Sequence, residues 1–382
     1  MIKRQLDLKK FKHSMFLFGP RQVGKTYLIN TTLSPDRYIN LLDLGEFIRY
    51  SKDPSLLSKD IAFLNKEKLL VVIDEIQRCP ELLNEVQLTM GNRPEVQFIL
   101  TGSSARKLKR AGVNLLGGRA ITLHLHPLTH EELAGMFNFD AVLRYGTIPS
   151  IVIEKDIQER NMLLQSYVET YLKEEIQQEA LTRNVPAFSK FLELSAFENG
   201  NILNFQNIAR EVGINSKTIK EYFYILQDTL LGFILYPFTR SHRARLISHP
   251  KFYLFDLGVA SALRGELSRE LIPGSPPYGK SFEHFIILEV KRLLDYRKRE
   301  AKMSFYRTTD GAEVDLILEF GQDIWAVEIK ASSRPQLSDI RGLRSFIKDH
   351  KTVKAICVCQ TIRPFIDGGI EFLPWQDFMK LL

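Results

Sequence analysis

The sequence predicts an α/β protein in three sections: a parallel, helix-covered sheet (1–145), a mostly helical middle (146–270) and a second α/β section (271–382). Three observations predict it. Short apolar runs alternate with amphipathic stretches up to about residue 145, helical patterns dominate from about 150 to 235, and alternation returns from about 280 onward. The length of 382 residues suits two or three domains.

Composition and charge narrow the classes further. Ordinary hydrophobic and charged fractions exclude a largely disordered chain, a collagen-like rod and a disulfide-stapled mini-protein. No apolar run approaches the ~20 residues of a membrane span. Met1 to Lys12 mixes basic and apolar residues without the apolar core of a signal peptide. The net charge of +7 is a modest basic excess that suits nucleic acid or another anionic partner. Cys79, Cys357 and Cys359 are odd in number and lack metal-ligand spacing, which points to a reducing compartment, the cytoplasm. Cys357 and Cys359 alternate in an apolar run and are expected as buried strand residues.

In the first section, Met15–Phe18, Tyr38–Leu41, Leu69–Ile73 and Val96–Leu100 read as buried strands. Helical patterns lie between most of them, and short apolar strands spaced by helices imply a parallel sheet. Directly after the first strand, Gly19-Pro20-Arg21-Gln22-Val23-Gly24-Lys25-Thr26 fits G-x-x-x-x-G-K-S/T, and a helical pattern follows over Thr26 to Thr32. Glycines let the backbone wrap phosphates, and successive N–H groups at a helix start supply positive potential. Lys25 is expected on the β- and γ-phosphates of ATP, and Thr26 on Mg²⁺.

The run Leu69 to Ile73 ends in Asp74-Glu75, an apolar strand closed by two acids. Asp74 is expected to hold Mg²⁺ through water, and Glu75 to polarise the attacking water, which makes the reaction hydrolysis. A third strand ends in Leu100-Thr101-Gly102-Ser103-Ser104, where Ser103 or Ser104 would sense the γ-phosphate. Downstream lie Arg106, Lys107, Lys109, Arg110 and Gly117-Gly118-Arg119. Arg119, flanked by glycines, is the expected phosphate-contacting arginine, acting in its own or a neighbouring subunit; the other reading is a solvated basic helix.

In the middle section, Phe205 to Ile214 reads as a helix stopped by Gly213, and a second helix capped by Asn215 or Ser216 runs to Leu226. That spacing is helix-turn-helix. Gly232–Tyr236 and Phe252–Phe255 read as strands around a basic segment with Arg240, His242, Arg243, Arg245 and His249, which describes a wing. Lys217 and Lys220 on the second helix, and Arg243 and Arg245 on the wing, are the expected DNA contacts. The alternative is a winged helix that only packs domains together. Leu271 to Gly279 reads as a linker.

The last section reads helix, strand, strand, helix, strand. Asp315 lies in the alternating run Glu313–Leu318, and Glu328 and Lys330 lie in Ala326–Lys330. Strand side chains alternate, so Glu328 and Lys330 share a face. Asp315 and Glu328 can then hold one divalent metal, with Lys330 orienting water or stabilising developing charge, in the D…ExK spacing of a PD-(D/E)XK nuclease core. Glu283, on the helix Ser281–Leu294, is expected to complete the site, with His284 a weaker candidate. Arg297-Lys298-Arg299 is read as a DNA-holding run or a solvated turn.

Together the Gly19–Thr26 loop, Ile73-Asp74-Glu75-Ile76-Gln77, Leu100–Ser104, Gly118-Arg119 and the Asp315…Glu328-Ile329-Lys330 set resemble prokaryotic AAA-type ATPases whose C-terminal half was long classed as a domain of unknown function. The resemblance spans nearly the whole chain. It implies an AAA-type ATPase domain, then a winged helix, then a fold similar to restriction endonucleases. The expected function is that of an ATP-hydrolysing, DNA-binding protein, oligomeric if Arg119 acts in trans and with a ring among the arrangements allowed, whose C-terminal domain cuts or grips DNA. The alternatives are an ATP-driven DNA remodeller or switch without cleavage, and a protein-remodelling ATPase.

Overall fold

The computed structural model describes residues 2–64, 66–103, 105–106, 108, 116–172, 184–239, 249–308, 310–350 and 353–382. The chain divides into two compact units, Met1–Leu128 with Ile225–Leu231, and Thr129–Tyr224 with Gly232–Leu382.

The first unit is built on five parallel strands: β1 (Met15–Phe18), β2 (Arg37–Asn40), β3 (Leu69–Asp74), β4 (Val96–Gly102) and β5 (Ile121–His124), in the order β2-β3-β4-β1-β5. Parallel neighbours force the chain to cross back between strands. The crossovers carry α1 (Lys25–Thr32), α2 (Leu44–Lys52), α3 (Leu56–Phe63) and α4 (Leu82–Asn92). Phe16 and Phe18, Val71 and Ile73, and Phe98 and Leu100 are alternate residues on their strands, and all enter one core with Leu57 and Leu83. The four expected strands are present. The fifth, β5, escaped the reading because only Leu123 in it is buried.

In the second unit, α5 (His130–Leu133), α6 (Phe139–Tyr145), α7 (Pro149–Ile153), α8 (Ile157–Ser166) and α9 (Val185–Phe197) precede the pair α10 (Phe205–Val212) and α11 (Ser216–Asp228), whose residues from Ile225 onward count with the first unit. Gly213 ends α10 in the left-handed region at φ 82°, with its N–H on Ala209 O at 2.9 Å. Asn215 caps α11, accepting from the Thr218 N–H at 2.8 Å. Phe188 and Phe191 of α9 pack on Tyr222, and Phe191 also packs on Phe223. Then come the antiparallel strands β6 (Gly232–Leu235) and β7 (Lys251–Leu254). The basic segment between them, 240–248, lies outside the described residues.

After α12 (Leu257–Leu263) and α13 (Pro276–Arg297), a six-stranded sheet forms from β8 (Lys302–Arg307), β9 (Glu313–Phe320), β10 (Asp323–Ile329), β11 (Val353–Cys359), β12 (Phe365–Asp367) and β13 (Ile370–Pro374). Its order is β12-β13-β11-β10-β9-β8. Helices α14 (Arg341–Asp349) and α15 (Trp375–Leu381) complete the unit. Cys357 and Cys359 lie in β11 with both side chains in the core.

Two readings of this section need correction. Beyond the expected elements the sheet has β8, β12 and β13; the short buried stretch of β8 is bracketed by exposed Lys302 and Arg307. The expected linker ends early, because Ser275 caps α13 and Pro276 and Pro277 form its first turn, where a missing N–H costs no helical bond. In the Arg297–Arg299 run, Arg297 is exposed, donates to Met379 O at 2.7 Å and pairs with Glu131 at 2.7 Å. Arg299 lies 4.1 Å from the Phe320 ring centre and bonds to Leu382 O at 3.0 Å. No helix among the described residues is long and apolar enough to cross a membrane.

Candidate functional site

The loop after β1 is shaped by close backbone approaches. A Cβ on Gly19 would stand 2.3 Å from Leu125 O, so only glycine fits there. Gly24 sits at φ 92° as it opens α1, and Gln22 also takes a positive φ of 62°. Val23 is buried, and its carbonyl accepts from Arg4 at 2.6 Å, while the other arm of Arg4 bonds to His126 O at 2.6 Å. Arg4 therefore braces the loop from the N-terminal segment, a role that no local motif announces. Lys25 is buried and folds back on its own loop, 2.7 Å from Gly19 O and 3.1 Å from Pro20 O. Arg21 and Gln22 form the turn that follows Pro20.

Asp74 ends β3 and collects three hydroxyls. Thr26 Oγ1 donates to its Oδ2 at 3.0 Å, the Tyr38 hydroxyl donates to the same oxygen at 2.7 Å, and Thr101 donates to Oδ1. Burial and then the bond to Asp74 raise the Tyr38 pKa, keeping it a donor. Glu75 follows in the left-handed region at φ 61°, its N–H directed to Thr101 Oγ1 at 3.2 Å. The Gln77 amide donates to Glu75 Oε2 and lies 3.5 Å from Ser103 Oγ. Thr26, Asp74, Glu75 and Ser103 are thus brought together. Thr26 Oγ1 and Asp74 Oδ2, a hydroxyl and a carboxylate in direct contact, fit a Mg²⁺ held at the phosphates of a nucleotide.

Arg119 is exposed and lies near Gly91 of α4. Arg106 is committed to Asp228 at 2.5 Å. Ser104, Lys107, Lys109 and Arg110 lie outside the described residues.

The second constellation lies on the six-stranded sheet. In the antiparallel β9–β10 pair, Leu316 faces Val327, so the next pair along sets Asp315 beside Glu328. The Ile329 N–H donates to Asp315 Oδ2 at 2.8 Å, and Lys330 Nζ lies 2.7 Å from Glu328 Oε1. Glu328 is 5% exposed, and its Oε2 is buried with no hydrogen-bond partner. Burial, then the charge of Glu283, raises the Asp315 pKa. Burial, then the charge of Asp315, raises that of Glu328. Burial opposes the charge on Lys330, but Asp315 and Glu328 outweigh it and raise its pKa.

Sequence reasoning missed Lys251, Tyr253 and Glu313. Lys251 opens β7, is 3% exposed, and pairs with Glu313 at 2.7 Å and with Glu283 at 3.5 Å. The Tyr253 hydroxyl donates to Glu283 Oε1 at 2.7 Å. An isolated lysine ahead of an apolar run is an ordinary strand edge in sequence; only the fold reveals its burial. Glu283, expected to complete the acid pair, is bound to a lysine and a tyrosine, and its charge acts on Asp315. Among the described residues no three His, Cys, Asp or Glu side chains form a ready-made metal cluster. Still, four carboxylates meet two ammonium groups and the Arg307 guanidinium here, a formal excess of one negative charge. That excess and the orphan Glu328 oxygen fit a divalent cation resting on the Asp315–Glu328 pair and completed by water or phosphate, as Mg²⁺ commonly is. His284 is no ligand: its Nε2 bonds to Leu254 O at 2.7 Å, and burial pushes its pKa down to about 3.

Of the expected DNA contacts, Lys217 is exposed and Lys220 half-buried, and both line an open cavity of about 410 Å³ with Ser216, Gln206 and His249. Arg243 and Arg245 lie outside the described residues.

Residues 12–134 match a family model described as an AAA domain. Residues 136–270 and 278–378 match two domains of unknown function, DUF8612 and DUF4143. The chain is similar to an uncharacterized protein of Mycobacterium tuberculosis, 26% identical over 339 residues that cover 88% of this chain and 74% of the relative. An uncharacterized protein of Methanocaldococcus jannaschii is 23% identical over 411 residues, covering 100% of this chain and 89% of its own. One from Haemophilus influenzae is 20% identical over 356 residues, 85% and 84% of the two chains. The AAA-domain match, the parallel five-stranded sheet and the loop that follows β1 support an AAA-type P-loop ATPase family for the N-terminal unit.

Proposed function

We propose that the protein hydrolyses ATP with Mg²⁺ at the first constellation and acts on DNA through its helical middle and its C-terminal acid pocket. The observation that carries the ATPase reading is the set of contacts on Asp74 and Glu75: Thr26 bonded to Asp74, and Glu75 held by Gln77 within reach of Ser103. Mg²⁺, when bound by Thr26 and Asp74, supplies charge neutralisation at the phosphates. Lys25 leaves its loop carbonyls for the phosphate oxygens. Glu75 holds and polarises water. Gln77 fixes the Glu75 carboxylate and links it to Ser103, a sensor for the γ-phosphate. Arg119, exposed after its glycines, reaches the phosphate of a neighbouring copy, so the active form is a homo-oligomer.

DNA is held by Lys217 and Lys220 on α11 and by Arg243 and Arg245. The Asp315–Glu328 pair holds a divalent cation, and Lys330 orients water or steadies charge on a phosphodiester there. The uncommitted Glu328 oxygen supports this reading. The engagement of Glu283 by Lys251 and Tyr253 favours a second one, a remodeller whose C-terminal domain grips DNA without cutting it. The test compares the full chain with Glu328→Ala plus Lys330→Ala on linear, supercoiled and branched DNA, with Mg²⁺ or Mn²⁺, with and without ATP. Cutting by the parent alone supports the nuclease. DNA-stimulated ATP hydrolysis without cutting supports the remodeller, and absence of DNA binding removes both.

A further inference from the structure

A separate cavity of about 290 Å³ in the second unit is framed by Arg144, Arg264, Arg269 and Lys280. Among the described residues that line it, the acidic counterpart is Glu266, which lies 2.5 Å from Arg264 and 3.6 Å from Arg269. Arg144 bonds to the main-chain carbonyl of Leu267, at 2.6 and 3.0 Å, and Lys280 to Asn201 Oδ1 at 3.2 Å; neither meets a carboxylate. The histidine in the wall, His284, adds no charge, because its Nε2 is spent on Leu254 O, its Nδ1 lies 3.3 Å from the Asn199 amide, and burial keeps it neutral. The cavity therefore carries three uncompensated positive charges.

Its remaining wall is apolar. Phe197, 54% exposed, stands at the rim with Leu271, Pro276 and Pro277. The two prolines open α13 and have no N–H to offer. Recognition of an anion thus falls to the arginine and lysine side chains, while the ring and prolines favour a flat or apolar group. Guanidinium forks match phosphate geometry, and the volume is near the lower end of small-molecule sites, about 300 Å³.

We propose that this cavity binds a small phosphate monoester bearing an aromatic or heteroaromatic group, of the size of a nucleoside monophosphate. The site is distinct in sequence from the loop Gly19–Thr26 and needs none of its residues. The test is calorimetric titration of the full chain with AMP, phenyl phosphate and inorganic phosphate, repeated with Lys25→Ala, Lys280→Glu and Arg144→Gln. One-to-one binding of both esters is expected, tighter than inorganic phosphate and retained in Lys25→Ala. A charge-assisted bond to phosphate is lost in Lys280→Glu, so binding there should weaken by about tenfold or more. Lys280 is exposed, so its reversal leaves the fold intact even where Arg144→Gln lowers the melting temperature. No saturable binding would overturn the proposal. So would loss of binding in Lys25→Ala, indifference to Lys280→Glu, or inorganic phosphate binding as tightly as the esters.

Discussion

The Thr26 hydroxyl lies 3.0 Å from Asp74 Oδ2, joining the first turn of α1 to the end of β3. Two segments separated by 48 positions thereby present a hydroxyl and a carboxylate to one point. Thr26→Ala should leave the fold intact and raise the Mg²⁺ concentration needed for half-maximal ATP turnover. Magnesium titrations of steady-state rates check this; an unchanged requirement would separate Thr26 from the metal.

Gln77 positions Glu75 and touches no substrate in this account. Gln77→Ala should lower kcat by about 10–100-fold, the scale of a misplaced catalytic group, with KM for ATP nearly unchanged. Gln77→Glu should not rescue it, because a carboxylate cannot donate to Glu75. A fall in ATP affinity without loss of kcat would give Gln77 a different role.

The acid pocket predicts a pH signature. Asp315 and Glu328 bind protons more tightly folded than unfolded, to about pH 6 and about pH 8. Their contribution to stability is present at low pH and is lost as pH rises through that window. Melting temperatures should therefore fall less between pH 6 and 8 in Glu328→Gln than in the parent. Mg²⁺ or Mn²⁺ should raise the parent's melting temperature more at pH 8 than at pH 6, because binding competes with protons. Identical pH profiles for parent and Glu328→Gln would contradict the placement of the pair.

Lys251 is the buried cation between Glu283 and Glu313. Lys251→Met leaves Glu283 with only the Tyr253 hydroxyl and Glu313 with only Arg307 at 3.5 Å. Breaking a buried pair from one side costs about 3–5 kcal/mol, measurable by urea unfolding. Adding Glu283→Gln should recover part of the loss. A neutral Lys251→Met would mean that water reaches the pocket freely.

If Lys217 and Lys220 each neutralise one DNA phosphate, replacing both with alanine should flatten the slope of log affinity against log salt by about 2. Fluorescence anisotropy over a salt series measures it. An unchanged slope would place DNA elsewhere or nowhere on this helix pair.

What the sequence revealed follows from where the information sits. The Gly19–Thr26 loop and the Asp74-Glu75 ending are local patterns, and three of the five strands, β1, β3 and β4, are apolar runs buried along nearly their whole length. The Asp315…Glu328-Ile329-Lys330 set was legible because strand alternation fixes which side chains share a face. Tyr38, Arg4 and Lys251 were not legible. Each reaches its partner across the fold, and no local pattern names that partner. Pro276 and Pro277 misled for a different reason: the ring that breaks a helix interior is tolerated at a helix start. In the Arg297–Arg299 run, read as a DNA-holding run or a solvated turn, the carbonyls and ring that engage Arg297 and Arg299 come from Met379, Leu382 and Phe320, distant in sequence.

The most direct test of the account is ATP hydrolysis by the full chain and by Glu75→Gln, with and without Mg²⁺ and with and without DNA. The account predicts Mg²⁺-dependent turnover that rises on DNA. It predicts a loss of about 10²–10⁴-fold in Glu75→Gln, the usual weight of a general base, with ATP binding kept. Undiminished turnover in Glu75→Gln, or turnover independent of Mg²⁺, would contradict it.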